Sequence, residues 1–94
     1  MLIVSGRLYL KLGTREPFLA SCEASMRLAR QTAGCLDFAV SADPLEPDRV
    51  NVYEAWTDAE SLASFRAANG DGALFSLIER FEVERHEVAR SGPA

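Results

Sequence analysis

A glutamate and the chain's single tryptophan lie two residues apart in the segment VYEAWTDAESLASF, which begins at Val52. Glu54 and Trp56 are alternate residues of a strand-like run, so their side chains share one face of a sheet. An indole can stack on a flat ligand. A carboxylate in an apolar cavity has a raised pKa and could remove a phenolic proton. Both residues are therefore candidate catalytic residues.

Both residues also have structural interpretations, which the sequence favours. Trp56 would be a large core residue that closes the end of a strand and packs against the next helix. A buried Glu54 needs a partner, because an unpaired buried charge is costly. An arginine across the sheet or across a dimer interface could supply it: Arg7, Arg49 or Arg80.

Five phenylalanines provide apolar material for a core or for the wall of a pocket. Most of them are expected in the core. If the fold contains a pocket, its predicted walls are Phe38, Phe65 and Phe75, together with Trp56. Such walls suit a small apolar or aromatic ligand.

The other reactive side chains do not predict a site. His86, the only histidine, lies among charges in ERHEV, and strand alternation places it on a polar face with Glu82 and Glu84. Cys22 and Cys35 occupy apolar positions, so buried free thiols are favoured over one disulfide. The chain contains no CxxC motif and no cysteine–histidine cluster, which predicts no metal site.

Hydrophobic periodicity predicts the first elements that position these residues. Residues 2–10 alternate as a strand, with Leu2, Val4, Leu8 and Leu10 on one face. A helix capped by Thr14 and ended by Gly34 follows. Its apolar residues recur in steps of three and four: Phe18, Leu19, Cys22, Met26, Ala29 and Ala33.

The rest of the chain predicts three strands and a second helical region. Strands are expected at 35–42 and 49–56, joined by a proline-containing turn, with Leu36, Phe38 and Val40 on one face of the first. A capping box of Thr57 and Glu60 begins a helix that continues to about Ala68. A helical piece over 71–81 presents Leu74, Leu77 and Ile78, and a last strand over 80–88 presents Phe81 and Val83.

The element order β-α-β-β-α-β predicts an α+β, ferredoxin-like fold, in which a four-stranded antiparallel sheet carries its helices on one face. The second sheet face has no helix to cover it. Its predicted residues are too apolar for a well-solvated surface: Ile3, Tyr9, Ala39, Tyr53 and Ala55. We therefore expect a homodimer packed sheet face to sheet face.

Length and charge indicate the general class of protein. The 94 residues form one domain, expected over 1–90 with a flexible tail at 91–94. A formal net charge of −4 disfavours nucleic acid and anionic membranes as partners. The apolar N-terminal run is interrupted by Arg7 and Lys11 and alternates like a strand, unlike a signal peptide. A cytoplasmic protein is the default expectation.

Two segments resemble the antibiotic biosynthesis monooxygenase family. GCLDFAV (34–40) is similar to the family's strand start of glycine, cysteine and an aromatic residue, and YEAWTDAESLASF (53–65) is similar to its glutamate-x-tryptophan strand and short helix. The resemblance covers nearly the whole chain. It implies a small, dimeric α+β barrel.

The chain departs from the family's catalytic patterns. Polyketide-type members carry an asparagine four residues before the tryptophan and a tyrosine six residues after it, where this chain has Val52 and Leu62. Haem-degrading members carry a first-strand asparagine and a histidine nine or ten residues after the tryptophan. This first strand has no asparagine, and Phe65 and Arg66 stand at the histidine positions.

The resemblance implies two hypotheses. In the first, the protein is a cofactor-independent monooxygenase, which binds a phenol or hydroquinone in an apolar pocket and lets its anion react with dioxygen. Such chemistry needs mainly desolvation, orientation and electrostatic stabilisation. In the second, it is a non-catalytic dimeric module that binds a small apolar ligand or packs against a partner.

Overall fold

The structure, a computed structural model, describes residues 1–69 and 75–94. These residues form β1 (Leu2–Leu10), α1 (Arg15–Arg30), β2 (Cys35–Ala42), β3 (Arg49–Trp56), α2 (Ala59–Asn69) and β4 (Ile78–Glu87). The strands are antiparallel neighbours in the order β2-β3-β1-β4. The predicted ferredoxin-like α+β fold is confirmed. Residues 71–74, which begin the predicted helical piece and include Leu74, lie outside the described residues.

The central strand β1 has the burial pattern that its alternating sequence predicts. Leu2, Val4, Leu8 and Leu10 are buried. Direct cross-strand partners lie on the same face of a sheet, and the pairs are Leu2 with Trp56 and Val4 with Glu54. The sheet register thus places Glu54 and Trp56 among the core residues of β1.

Both helices pack on this one face of the sheet. Ala29 of α1 and Leu62 and Phe65 of α2 belong to one buried cluster with Leu2 and Val4 of β1. Phe18 and Cys22 of α1 belong to a second cluster with Leu8 and Val50. The site residues of β3 consequently face the space between the sheet and the helices.

Helix α1 is shorter than predicted. It ends at Arg30 instead of reaching Gly34, and Ala33 is exposed. The Thr32 hydroxyl and backbone N–H donate hydrogen bonds to the carbonyls of Leu28 and Ala29, at 2.7 and 2.9 Å. These bonds satisfy free carbonyls of the last turn and end the helix early. Gly34 adopts a positive φ of 89°, but in the turn that leads into β2.

The prediction that Leu36 lies on the face of Phe38 is wrong. The β2–β3 register shifts between Cys35 and Asp37, which pair with the consecutive residues Trp56 and Ala55. Leu36 is the additional residue of this bulge, so it turns away from the core and is 55% exposed.

The predicted capping box of Thr57 and Glu60 is also wrong. The Ser61 backbone N–H donates to Asp58 Oδ1 at 2.7 Å, so Asp58 caps α2. The Thr57 backbone N–H is bonded to the Gly34 carbonyl at 2.8 Å, which keeps this residue with the end of β3. Its hydroxyl donates to Asp58 Oδ2 at 3.1 Å.

The helical piece predicted over 71–81 does not extend to its predicted end, because β4 begins at Ile78. Ile78 pairs with Leu10 and Phe81 with Leu8, across an irregularity between Tyr9 and Leu10. Backbone pairing with β1 satisfies the donors and acceptors of this segment, so tertiary contact overrides local helical periodicity.

The second sheet face carries both apolar and charged residues. Tyr53 is 41% exposed, whereas Ala55 is buried. The Arg80 guanidinium stacks over the Tyr9 ring at 4.0 Å. Homodimerisation through this face stays a prediction. Among the described residues, no helix has the length and apolar character required to cross a membrane.

Candidate functional site

A cavity lies between the sheet and the helices, and the described residues line two lobes of it. The lobes have volumes of about 370 and 320 Å³, within the range of roughly 300–1,000 Å³ that is usual for small-molecule sites. The two lobes are adjacent, because they share six lining residues: Leu8, Phe18, Cys22, Arg66, Phe75 and Phe81.

The lobes differ in their remaining walls. The glutamate lobe, of about 370 Å³, is lined by Glu54 and by four valines of the sheet, namely Val4, Val40, Val52 and Val83. The phenylalanine lobe, of about 320 Å³, has Phe38 and Phe65 in its wall, with Ser25 and Asn69 as polar groups. A ligand in this cavity would contact mainly aromatic and aliphatic side chains.

Glu54 is a buried acid in the wall of an otherwise apolar lobe. Only 8% of the residue is exposed, and its Oε1 accepts a hydrogen bond from Trp56 Nε1 at 3.0 Å. Burial raises the pKa of Glu54, against the lowering effects of the Trp56 hydrogen bond and of the Arg66 charge. A raised pKa makes a carboxylate a stronger base, which suits proton exchange with a bound ligand.

Within the chain, Glu54 is not paired with the predicted arginines; pairing across a dimer interface stays a prediction. Arg7 binds Glu82 at 2.9 Å, Arg80 binds the same Glu82, and Arg49 lies 3.0 Å from Glu46. Alternation along β1, β3 and β4 places these arginines on the opposite sheet face from Glu54. The indole of Trp56 and the charge of Arg66 interact with the carboxylate instead.

Trp56 is fully buried and lies behind the cavity wall. Its exposure is 0%, and it is not among the residues that line either lobe. The Trp56 ring centroid lies 5.4 Å from that of Phe65, which in turn lies 5.8 Å from Phe38. Trp56 therefore acts on the cavity indirectly, by holding Oε1 of Glu54 and supporting the Phe65 ring.

The three predicted phenylalanines all lie at the phenylalanine lobe. Phe38 and Phe65 are buried, and they come from β2 and α2. Phe75 is 60% exposed and belongs to the rim. The structure thus brings these three residues together around one lobe of the cavity. Trp56 does not line that lobe, but it contacts Phe65, which does.

Arg66 lines the cavity but was not predicted to be a site residue. The sequence drew attention to it only because haem-degrading members of the family carry histidine at or next to this position. Arg66 lines both lobes and lies on the exposed side of α2. Among residues 1–69 and 75–94, it makes no hydrogen bond or ion pair. Its spacing of four from the buried Leu62 is the signal that could have found it, because residues four apart share a helix face.

His86 and the cysteines provide no metal centre. His86 is exposed and pairs with Ile3, on the sheet face opposite the cavity. Both cysteines are free, as favoured; Cys22 is buried and Cys35 is half-buried. Burial raises the pKa of the Cys22 thiol, which keeps it protonated. Within the described residues, no group of three histidine, cysteine or acidic side chains could hold a metal ion.

Comparisons with known proteins agree with this fold. A family model described as antibiotic biosynthesis monooxygenase matches residues 1–82. No curated protein matches the chain. A Deinococcus radiodurans protein proposed to be an antibiotic biosynthesis monooxygenase superposes with a TM-score of 0.85 at 19% identity, over 100% of this chain and 98% of its own.

Two further solved structures have the same architecture. A Nitrosomonas europaea protein with the same proposed assignment has a TM-score of 0.81 at 12% identity, over 96% of this chain and 100% of its own. A Bacteroides thetaiotaomicron protein of unknown function, suggested as an oxidoreductase, has a TM-score of 0.75 at 16% identity, over 93% and 96%. At these identities the likeness establishes the fold and not the activity.

Proposed function

Because the chain belongs to the antibiotic biosynthesis monooxygenase family, we propose that it oxygenates a small aromatic phenol or hydroquinone without a bound cofactor. The observation that carries this proposal is Glu54, a buried acid with a raised pKa in the wall of an apolar cavity. A buried carboxylate that no described arginine pairs with directly costs stability. Such a cost is typical of functional sites.

In this proposal Glu54 begins the reaction as a general base. Its carboxylate removes a proton from the substrate and leaves an electron-rich anion among mainly apolar side chains. The anion donates an electron pair to dioxygen, and a carbon–oxygen bond forms, giving a hydroperoxide after Glu54 returns the proton. Loss of water then leaves a carbonyl, so one oxygen atom remains in the product and the other leaves as water.

Trp56 is a positioning residue in this mechanism. Its indole N–H, 3.0 Å from Glu54 Oε1, fixes the carboxylate and leaves the second oxygen for the ligand. The hydrogen bond also lowers the pKa of Glu54. It therefore keeps more of the acid in the basic form that the reaction requires.

A second candidate is a module that binds an apolar ligand without converting it. Val52, Leu62 and Phe65 stand at positions where catalytic relatives carry asparagine, tyrosine or histidine. Val52 and Phe65 are apolar parts of the cavity wall, and Leu62 is buried in the core. These residues preserve a binding cavity while supplying no polar reagent.

Oxygen consumption with a panel of hydroquinones and anthrones tests the first candidate. The wild-type protein should consume oxygen, and Glu54→Gln should lower kcat by about 100-fold or more, because a general base contributes about 10²–10⁴-fold. Glu84→Gln removes an exposed acid on the other sheet face and should change nothing. No consumption with any substrate would leave the binding module.

A pH profile separates the positioning role of Trp56 from simple packing. Trp56→Phe keeps an aromatic ring but removes the hydrogen bond that lowers the pKa of Glu54. The acid limb of kcat/KM should therefore move to higher pH. If Trp56→Phe lowers the rate but leaves the acid limb of the kcat/KM profile at the wild-type pH, Trp56 has a packing role only.

We also propose that the protein is a homodimer packed through its second sheet face. Tyr53 is half-exposed there, and Ile3 and Ala39 of this face are incompletely buried. Burial of these residues against a second copy would remove apolar surface from water. A monomer by light scattering at micromolar concentration would contradict this proposal.

A further inference from the structure

The charges of the cavity indicate what kind of ligand enters it. Among the described lining residues, Glu54 and Arg66 alone carry charge. They differ in position: Glu54 is buried in the sheet wall, whereas Arg66 is exposed on α2 at the cavity rim. The cavity therefore has an acid in its depth and a cation at its mouth.

Within residues 1–69 and 75–94, no side chain forms a hydrogen bond or ion pair with this cation. Arg30, on α1, donates to the Phe38 carbonyl at 2.8 Å, and Arg15 donates to carbonyls of the β2–β3 loop. Arg66 has no comparable bond within residues 1–69 and 75–94. Glu54 interacts with Arg66 through charge alone, and its Oε1 is hydrogen-bonded to Trp56 Nε1 at 3.0 Å.

A guanidinium at the mouth of an apolar site favours a carboxylate or a similar anion. Arginine binds carboxylates through two parallel N–H donors, and such charge-assisted bonds are stronger than neutral ones. The net charge of −4 would repel a soluble anion from the molecule as a whole. Attraction must then be local, and Arg66 is the group placed to provide it.

We propose that Arg66 anchors an anionic group, and that the ligand of this cavity is an aromatic acid whose ring enters the phenylalanine lobe. This extends the proposed function by naming the substrate class, and it rests on that function only in requiring that the cavity binds an aromatic ligand. A hydroxyl on the ring would then be directed towards Glu54, away from the anchored anion.

Calorimetric titration with 2-naphthoate and 2-naphthamide tests this proposal. The two compounds share one ring system, but at pH 7.5 the first is an anion and the second is neutral. Wild-type protein should bind the naphthoate at least about tenfold more tightly, as expected for a charge-assisted bond. Arg66→Gln should abolish this preference and leave the affinity for the amide unchanged.

Two further variants test whether the preference for the anion depends on Arg66 itself. Arg27→Gln removes the same charge from the exposed side of α1 and should keep the preference. Arg66→Lys keeps the charge without the planar fork and should retain part of it. A preference that survives in Arg66→Gln, or that Arg27→Gln removes, would overturn the role of Arg66.

The outcomes also separate this inference from the proposed function. Equal wild-type affinities for the two compounds, or tighter binding of the amide, would overturn anion recognition while leaving an apolar binding cavity. Binding of neither compound would overturn both. Selective binding of naphthoate without oxygen consumption by any substrate would support the inference and refute catalysis.

Discussion

Replacement of Glu54 by glutamine should stabilise the protein at neutral pH. Burial raises the pKa of Glu54, so the folded state favours the protonated acid. The contribution of Glu54 to the free energy of unfolding is therefore complete below its unfolded-state pKa of about 4.5. It is lost as pH rises through the folded-state pKa. Glutamine is always neutral and avoids this loss.

The size of the gain follows from the pKa. Each unit by which the folded-state pKa exceeds its unfolded value costs the wild type about 1.4 kcal/mol at neutral pH. The glutamine oxygen can still accept the Trp56 indole N–H, which now lies 3.0 Å from Oε1. Glu54→Leu also removes the charge but leaves that buried N–H without an acceptor, which costs about 1–3 kcal/mol.

Urea unfolding at pH 4 and pH 8, followed by the fluorescence of Trp56, measures these effects. Glu54→Gln and the wild type should be nearly equal at pH 4, and Glu54→Gln should be the more stable protein at pH 8. Glu54→Leu should be less stable than Glu54→Gln at both pH values. A wild type more stable than Glu54→Gln at pH 8 would refute the reasoning, because attraction to Arg66 would then outweigh the cost of burial.

Three other predictions follow from the fold. Gly6→Ala should lower the free energy of unfolding in urea by at least about 2 kcal/mol. The backbone of Gly6 has a φ of +146°, and an added Cβ would lie 2.0 Å from the Glu82 carbonyl oxygen. Asp58→Ala should lower the free energy of unfolding by about 1 kcal/mol, because Asp58 caps α2, and Thr57→Ala should lower it by less. A larger loss in Thr57→Ala would support the predicted capping box instead. Haem titration should give no Soret shift, because His86 lies on the face opposite the cavity; a shift would reveal a ligand elsewhere.

The strand faces were predictable because strand alternation is local. The pattern of β1 and the position of Glu54 two residues before Trp56 follow from a period of two. The element order then limited the topology to the observed sheet. Phe38 and Phe65 could be named because apolar side chains on the inward faces of a strand and a helix meet where the helices cover the sheet.

The errors concern features that depend on distant parts of the chain. Leu36 turns outwards because of a register shift against β3, and the start of β4 depends on its pairing with β1. The partners of Glu54 depend on which face each arginine occupies after the sheet forms. Arg66 could be recognised only once the space between α2 and the sheet was known.

The acid and the cation of the cavity are held by different kinds of element, and this affects how such a protein can diverge. Glu54 is fixed by the pairing of β3 with β1 and β2, where a slip of one residue would turn it out of the core. Arg66 lies on the exposed side of a helix, and its replacement disturbs no strand pairing. Descendants of one ancestor could therefore exchange the residue at position 66 and acquire new ligands, while inheriting the same buried acid.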